Sequence, residues 1–385
     1  MMIKFTKKLR LLTGAIGISA LLLSACGTAQ KEAGQDTATA TATASAQMTA
    51  APSTAVQPAA DSSASGTATR TIKDASGNDV VIPEKVSRVA AAGALNQITL
   101  MLGGGDKLVA TAQGVQTGFF PKVYPRIKEI PAAFTGAGPG TLNMETLLQT
   151  DPEVLFGTAA NDKETEILKS ANIATVGLKL VTVEDIKNTI SMVGEILGPD
   201  AAKKAEEFNI YYDGVIKYVK DKTGTADRPK VFVAGGDGSN GTISTIPAGD
   251  INTSYIEAAG GKNVAADTFA NGSPTVNMEQ ILGWDPDVVI ATSKAVYDNI
   301  VAPGSEWQAL RAVKNKSVFL NPKGVYLWSV RSAEGALQPL WLAKTLHPDL
   351  FEDLDLKQKV TEFYKNYYYY DLTDSEIEEI LHPTK

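Results

Sequence analysis

The chain has 385 residues, which is enough for a two-lobed protein with a sizeable buried core. Its formal net charge of −7 falls to −11 once the four basic residues of an N-terminal leader are removed, so nucleic acid is not an expected partner. Cys26 is the only cysteine, which excludes internal disulfides and thiolate metal sites, and the two histidines, His347 and His382, disfavour an imidazole metal cage.

Residues 1–26 are predicted to be a lipoprotein signal peptide. Basic residues precede an apolar run over 11–23, which is too short to span a bilayer comfortably. The run ends in Leu-Ser-Ala-Cys26, which resembles the lipobox of bacterial lipoproteins, where the cysteine is lipidated and becomes the new N-terminus. We therefore expect lipidation of Cys26 and a membrane anchor on the outer side of the cell membrane, at the cell surface or in the periplasm. An ordinary signal peptide with a chance cysteine is the alternative.

Residues 27–70 are predicted to be a disordered tether. They consist mainly of Ala, Thr, Ser, Gln and Gly, and they contain no aromatic side chain. Such a composition cannot bury enough apolar surface to fold. A mucin-like stalk that carries sugars on its Thr and Ser residues is the alternative.

From residue 71 onward, short apolar runs alternate with helical patterns, which is typical of an α/β fold. Residues 71–197 are predicted to form an N-terminal lobe, and residues 225–385 a C-terminal lobe. Between them, residues 198–224 are predicted to form one long helix, because apolar side chains recur there at helical spacing. The predicted strands are Val86–Ala90, Lys107–Thr111, Glu153–Gly157, Ile173–Leu178, Lys230–Ala234, Asp287–Thr292 and Ser317–Leu320.

One sequence pattern occurs twice. Residues 142–154 read LNMETLLQTDPEV, and residues 276–288 read VNMEQILGWDPDV. Each copy begins with an Asn suited to capping a helix and contains an Asp-Pro turn that stops the helix before a strand. The shared Asn-Met-Glu and Asp-Pro at the same spacing indicate duplication of one supersecondary unit, so the two lobes should be similar. Convergence on a common helix–turn–strand pattern is the alternative.

These segments, in this order and spacing, resemble the class III solute-binding proteins that serve ABC importers for ferric siderophores, haem and vitamin B12. Residues 71–78 resemble the first hairpin of that family, residues 258–264 a glycine-pair turn, and residues 307–315 the segment before the last strand. The resemblance implies two Rossmann-like α/β lobes joined by a single long rigid helix, with the ligand in the cleft between them. It also implies a monomeric binding protein without catalysis or a cofactor, whose partners are an ABC permease and its ATPase.

Ligands of open α/β sheets bind beyond the carboxyl ends of the strands, so the candidate ligand-binding residues lie in strand-end loops. In the N-terminal lobe, Asn96 and Gln116 offer hydrogen bonds, and Phe119 and Phe120 offer an apolar wall. Each polar residue could instead be a helix cap or a turn residue. In the C-terminal lobe, Asn240 lies in a glycine-rich loop that lacks the Gly-Lys-Ser/Thr ending of a nucleotide P-loop.

A second candidate cluster, Tyr326, Trp328 and Arg331, stands directly before a predicted helix over 333–346. Aromatic faces and a guanidinium at a helix N-terminus suit a carboxylate, a phosphate or an oxyanion. The alternative is that Trp328 packs in the core and Arg331 pairs with a surface acid.

The four tyrosines at 367–370 could be iron ligands. Their place in the last helical region favours packing or exposure instead, so no metal site is predicted.

Relatives dock on the permease through an acidic residue at the top of each lobe. The resemblance assigns this role to Asp162 and Glu164 in the first lobe and Asp298 in the second, although each could be an ordinary surface charge. The predicted ligand is a metal complex, namely a ferric siderophore, haem or a corrinoid, and an oxyanion such as molybdate is the alternative.

Two other functions are disfavoured by the sequence. An envelope enzyme is disfavoured because no G-x-S-x-G or H-E-x-x-H motif occurs, and a purely structural lipoprotein is disfavoured by the repeat.

Overall fold

The computed structural model describes residues 68–136, 140–157, 161–236 and 243–383, all of them within one compact unit, Ser63–Lys385. The predicted signal peptide, Cys26 and the tether as far as residue 67 lie outside the described residues. Within these ranges, no helix combines the length and the apolar character needed to cross a bilayer.

An antiparallel hairpin opens the described part of the chain. Its strands are β1, Thr69–Lys73, and β2, Asp79–Pro83. The carboxylate of Asp74 closes the turn, because it accepts hydrogen bonds from the backbone N–H groups of Ser76 and Asn78. The predicted first hairpin is therefore confirmed, and its first strand includes the last two residues of the predicted tether, Thr69 and Arg70.

A five-stranded parallel sheet forms the centre of the N-terminal lobe. Its strands are β3 Val89–Ala91, β4 Leu108–Ala112, β5 Ala132–Phe134, β6 Val154–Phe156 and β7 Ala174–Val176, arranged in the order β5-β4-β3-β6-β7. The helices of this lobe are α1 Leu95–Met101, α2 Phe120–Val123, α3 Met144–Thr150, α4 Asp162–Ser170 and α5 Val183–Leu197. Four of these strands match the predicted ones. Strand β5 is absent from the prediction because its Ala-Ala-Phe sequence is short and has no β-branched residue.

Helix α6, Pro199–Thr223, connects the two lobes and is about 37 Å long at 1.5 Å per residue. It begins after Gly198, whose φ of +119° gives the abrupt reversal from α5, and Pro199 stands at its first position. The two helices pack tightly, since a Cβ on Gly194 would lie only 2.8 Å from the Cβ of Ala205. The helix predicted over 198–224 thus has nearly the predicted bounds.

The C-terminal lobe contains a second parallel sheet and a small antiparallel pair. Its strands are β8 Lys230–Ala234, β9 Ile243–Ser244, β10 Lys262–Asn263, β11 Thr275–Val276, β12 Val288–Ala291 and β13 Val318–Leu320. The sheet has the order β10-β8-β12-β13, and β9 pairs with β11. The helices are α7 Ile251–Ala258, α8 Met278–Trp284, α9 Lys294–Val301, α10 Arg311–Lys314 and α11 Gln338–Leu346. The predicted α/β class with two parallel sheets is confirmed.

The predicted repeat forms the same unit in both lobes. Asn143 caps α3 and Asn277 caps α8, each by accepting a hydrogen bond from the backbone N–H three residues later. Both helices end at an aspartate in the left-handed conformation, Asp151 with φ of 46° and Asp285 with φ of 44°. A proline follows in each copy and prevents the helix from continuing into the next strand.

The last two helices, α12 Leu356–Tyr368 and α13 Asp374–Leu381, form a segment that we call the C-terminal strap, residues 356–381. The strap contacts the N-terminal lobe, because the Gln97 side-chain N–H donates to the Tyr368 hydroxyl at 2.6 Å and Lys122 pairs with Glu379 at 2.9 Å. It is also bound to the C-terminal lobe, where the Lys323 N–H donates to the Ile380 carbonyl. The segment predicted as one lobe, 225–385, therefore includes a second link between the lobes.

Candidate ligand-binding cleft

The candidate site is a cavity of about 490 Å³ between the two lobes. Its N-terminal wall lies near the carboxyl ends of β3, β5 and β6, at the start of α1 and in the segment after β7. The wall includes Ala92, Ala94, Leu95, Phe134, Gly140, Thr141, Leu142, Leu155, Gly157, Glu164, Leu178, Lys179, Leu180 and Val181. The C-terminal lobe contributes one loop, residues 325–331, which we call the cleft loop. The parallel strands explain this position, because all their carboxyl ends meet at one edge of the sheet.

The cleft loop brings two of the predicted residues to the cavity. Tyr326 and Arg331 both line it, together with Val330. Burial raises the pKa of the Tyr326 phenol, so this residue is a neutral hydrogen-bonding group at neutral pH. Glu164, which was assigned to permease docking, also lines this cavity instead of projecting away from it.

Two cationic side chains enter the cavity from opposite lobes. Lys179 extends from the segment after β7, and its Nζ lies 3.3 Å from an oxygen of Asp185. Arg331 of the cleft loop lies 3.3 Å from Asp250. Both aspartates also stabilise the start of a helix. Asp185 completes the capping box of α5 by accepting from the Thr182 N–H, and Asp250 caps α7 by accepting from the N–H two residues later. Each cation is therefore oriented by a carboxylate that has a second hydrogen-bonding role.

Hydrogen bonds stabilise the ionised form of the Asp185 carboxyl group. Burial alone would raise the pKa of this carboxyl, but hydrogen bonds from Thr182 and Lys179 hold it below its ordinary value. The carboxylate thus remains charged and keeps Lys179 beside the cavity. The resulting cleft has apolar walls with an oriented cation on each side.

Several predicted ligand-binding residues are not in the cleft. Asn96 is completely buried, where its side chain donates to the carbonyls of Ala91 and Gly93 and accepts from the Thr111 hydroxyl. Trp328 is also completely buried, in the core below the cleft loop. Asn96 fixes the turn that joins β3 to α1, and neither Asn96 nor Trp328 has exposed surface for a ligand.

The aromatic pair and the glutamine of the second N-terminal loop also have structural partners. Phe120 is fully buried, and Phe119 packs edge-on against Tyr364 of the strap, with 5.7 Å between ring centroids. The Gln116 side chain donates to the carbonyls of Ile127 and Ile130, which fixes the path of its own loop. Asn240 lies outside the described residues.

Lys179 is the charged cleft residue that the sequence prediction missed. The predicted strand Ile173–Leu178 ends directly before it, so the rule that ligands bind at strand ends would have selected this residue. Phe134 and Leu155 could be found only with the sheet order, because they lie on β5 and β6 and line the same cavity as Lys179, which follows β7.

The predicted docking residues differ in their surroundings. Asp162 is exposed at the start of α4. Asp298 is held by Lys294 of the same helix, with 2.6 Å to each carboxylate oxygen. The repeat offers a matched pair that the prediction omitted: Glu145 and Glu279 are exposed in the first turns of α3 and α8, and neither has an ion-pair partner among the described residues.

Residues 89–324, more than half of the chain, match the model of a family described as periplasmic binding protein. The chain belongs to the periplasmic binding protein family. Members of this family bind small solutes outside the cytoplasm and work with ABC permeases, and they are not enzymes. The predicted family, fold class and absence of catalysis are therefore confirmed, and the envelope-enzyme and structural-lipoprotein alternatives are rejected.

Individual relatives of this periplasmic binding protein differ in their ligands. The molybdate-binding protein MolA of Haemophilus influenzae is 30% identical over 339 residues, which cover 78% of this chain and 91% of MolA. A cobalamin-binding protein of Halobacterium salinarum is 28% identical over 247 residues, covering 61% of this chain and 63% of the relative. The crystal structure of a periplasmic solute-binding protein from Veillonella parvula is 28% identical with a TM-score of 0.71, covering 82% and 97% of the two chains.

Proposed function

We propose that the protein captures a metal complex with an anionic organic shell, such as a ferric siderophore or a corrinoid, and delivers it to an ABC permease. The observation that supports this ligand class is the cavity of about 490 Å³, whose wall is apolar apart from a few charged side chains. An organic shell can bury apolar surface against such a wall, and its anionic groups can meet Lys179 and Arg331. None of the described lining residues is His or Met, which weakens direct ligation of haem iron.

Molybdate is the second candidate, and the MolA relative at 30% identity favours it. A tetrahedral oxyanion is bound through positive charge and N–H donors, which Lys179 and Arg331 supply. An oxyanion gains nothing from burial against Phe134, Leu155 or Leu178, because it has no apolar surface. Because the cavity wall is largely apolar, we favour an organic metal complex over molybdate as the ligand.

The ligand class is tested by purifying the protein without added ligand and recording its absorption spectrum and native mass. Calorimetric titrations with cyanocobalamin, a ferric catecholate siderophore and sodium molybdate follow. We expect one of the organic complexes to bind one-to-one with a dissociation constant of roughly 1 μM or below, equivalent to about 8 kcal/mol. Binding of molybdate without binding of any organic complex would reverse the ranking, and Lys179→Ala is the matched variant for both ligand types.

We also propose that each lobe docks on the permease through an exposed carboxylate. The predicted docking positions are Asp162, Glu164 and Asp298. To these we add Glu145 and Glu279, which occupy equivalent positions of the repeat. Leu148 and Leu282 lie three residues further on the same helix faces and are 39% and 41% exposed. A permease with two similar halves would meet a carboxylate and a leucine from each lobe.

The final element of the proposal is attachment of the mature protein to the membrane through lipid on Cys26. Its support is the lipobox that ends at this residue and the polar segment that follows it. Such an anchor would keep the binding protein near the permease while allowing the folded unit to reach it.

A further inference from the structure

We propose that Glu334 is a positioning residue for ligand binding, because its buried carboxylate holds the cleft loop in the conformation that presents Tyr326 and Arg331. This inference rests on the proposed function of the cleft. Glu334 lies in a short 3-10 turn directly after the loop, and it is completely buried. It does not line the cavity, so it would act on the ligand only through the loop.

The carboxylate binds the beginning of the cleft loop. One oxygen, Oε2, accepts a hydrogen bond from the Tyr326 N–H at 2.8 Å. The other, Oε1, accepts from the Tyr364 hydroxyl at 2.6 Å and from the Val325 N–H at 3.2 Å. The Val325 N–H is shared, because it also donates to the Tyr364 hydroxyl at 3.0 Å. The Glu334 side chain thus joins the two ends of the segment 325–334, and its carboxyl oxygens fix the first two amides of the cleft loop.

The backbone at Gly324 passes so close to the Glu334 carboxylate that no space remains for a side chain there. A Cβ on Gly324 would collide with the Tyr364 hydroxyl and would lie 2.9 Å from Oε1 of Glu334. Only glycine therefore allows the backbone to enter the loop at this distance from the carboxylate. The position of the first loop residues is determined by the backbone as well as by the hydrogen bonds.

The other end of the loop is attached to the N-terminal lobe. The Ala333 N–H donates to the side-chain oxygen of Gln97 at 2.9 Å, and Gln97 in turn donates to the Tyr368 hydroxyl at 2.6 Å. Gln97 is completely buried. Both ends of the cleft loop are consequently held by buried polar side chains, while its central residues face the cavity.

A stabilising role alone does not require a carboxylate here. No Lys or Arg side chain among the described residues pairs with Glu334, and an apolar side chain of similar volume commonly stabilises a core as well as a buried charge does. A buried polar network with all its partners satisfied does, however, select one arrangement of the backbone. A binding site requires such a fixed conformation, because its side chains must be held in the geometry that contacts the ligand.

The test compares three variants of the full-length protein: Glu334→Met, which removes both acceptors; Glu334→Gln, which retains one; and Tyr364→Phe, which keeps the bond from Tyr326 to Glu334. The first readout is hydrogen exchange at the Tyr326 amide. The second is calorimetric titration with sodium molybdate and with cyanocobalamin. Urea denaturation measures the stability of each variant, so that an effect on the loop is separated from a general loss of stability.

We expect Glu334→Met to exchange the Tyr326 amide about tenfold faster, the effect of one lost hydrogen bond. It should also weaken binding of the probe that the wild type binds by roughly fivefold or more. Glu334→Gln should recover part of both effects, and Tyr364→Phe should show neither, even where its stability is lower.

Wild-type exchange at Tyr326 in a folded Glu334→Met variant would overturn the proposal. Equal losses of affinity in Glu334→Met and Tyr364→Phe, in proportion to their stability, would also overturn it. Should Glu334→Met fail to fold, the exchange and affinity of Glu334→Gln decide the question by the same criteria. If the wild type binds neither cyanocobalamin nor molybdate, the corrinoid and the oxyanion are excluded as ligands, and the amide exchange still decides whether Glu334 holds the loop.

Discussion

The Nη2 atom of Arg331 lies 3.3 Å from the Oδ2 atom of Asp250, and this ion pair stands at the edge of the interlobe cavity. The Arg331 side chain is 45% exposed, so the guanidinium is oriented by the aspartate while most of its donors face the solvent or the cavity. An exposed pair of this kind contributes little to stability. Its geometry instead keeps a permanent positive charge available to a ligand.

Replacement of Arg331 by Ala is expected to weaken ligand binding by about 1.5–3 kcal/mol, the range for hydrogen bonds to charged groups, or roughly 10- to 150-fold. Arg331→Lys should restore only part of the affinity, because an ammonium group cannot form two parallel hydrogen bonds to one anion. Calorimetric titration of both variants checks this, with circular dichroism as the control for folding. Wild-type affinity in both folded variants would assign Arg331 to a surface ion pair alone.

Trp328→Ala is expected to lower the free energy of unfolding by about 3–5 kcal/mol, because the indole is completely buried and its removal leaves a cavity. Trp328→Phe should cost less and should leave ligand affinity within about twofold of the wild type, since the ring does not line the cleft. Urea denaturation and calorimetry measure the two quantities. A large affinity loss in a Trp328→Phe variant of normal stability would place the indole in contact with the ligand.

Charge reversal of Glu145 and Glu279 to Lys is expected to abolish uptake of the ligand while its affinity for the purified protein stays unchanged. The reason is that both carboxylates are exposed at equivalent positions of the two lobes and lack a partner among the described residues. Uptake by whole cells and calorimetry of the purified variant provide the two measurements.

The matched comparison for docking is the variant with Asp162, Glu164 and Asp298 reversed to Lys. Because Glu164 lines the cleft and Asp298 already pairs with Lys294, we expect this variant to lose affinity as well as uptake. Full uptake by the Glu145/Glu279 variant, together with impaired uptake at unchanged affinity in the comparison variant, would return the docking role to the original three residues.

The stability of the protein is expected to depend on pH through Glu334. Burial raises the pKa of this carboxyl to about 7 from an ordinary value of 4.5, although hydrogen bonds from Tyr364, Tyr326 and Val325 lower it. The folded protein therefore retains a proton that the unfolded chain releases above about pH 4.5. The contribution of this group to stability is complete below pH 4.5 and is lost as the pH rises through 7, by at most about 1.4 kcal/mol per pH unit.

Glu334→Gln should remove this part of the pH dependence, because an amide does not titrate in this range. Urea denaturation of wild type and variant at several pH values between 4.5 and 8 measures it, with the m-value as the check for two-state unfolding. Parallel curves for the two proteins over this range would show that Glu334 is ionised throughout.

Cys26→Ala is expected to release the protein from the membrane fraction, since the lipobox cysteine is the proposed site of acylation. Cell fractionation followed by mass spectrometry of the N-terminus measures both the location and the modification. Membrane retention of the variant equal to that of the wild type would exclude this anchor.

Local patterns in the sequence predict most of the fold. The hairpin, the long helix and both copies of the repeat depend on turn residues, helix caps and apolar spacing, which act over a few residues. Strand β5 shows the limit of such patterns, since its three residues form a strand because β4 lies beside them, not because of their own preference.

The site was harder to predict because its contacts join distant parts of the chain. The order of residues around Trp328 and Arg331 shows that an aromatic ring and a cation share a loop, but it cannot decide which of them faces the cleft. Arg331 finds its partner Asp250 81 residues away, and Gln97 finds Tyr368 271 residues away. The spacing of residues in the sequence does not indicate either of these pairs.

The C-terminal strap has a kinetic consequence. Because it connects α1 of one lobe to the cleft loop of the other, a wide opening of the lobes would break the Gln97–Tyr368 and Gln97–Ala333 hydrogen bonds together. Ligand association should then be a single step, with an observed rate that rises linearly with ligand concentration and shows no plateau from slow lobe closure. In solution the ligand should leave by the same single step in reverse, at a rate that its affinity sets. Faster release would require separation of the lobes, and contact with the permease during its ATPase cycle is where the free energy for that separation can enter.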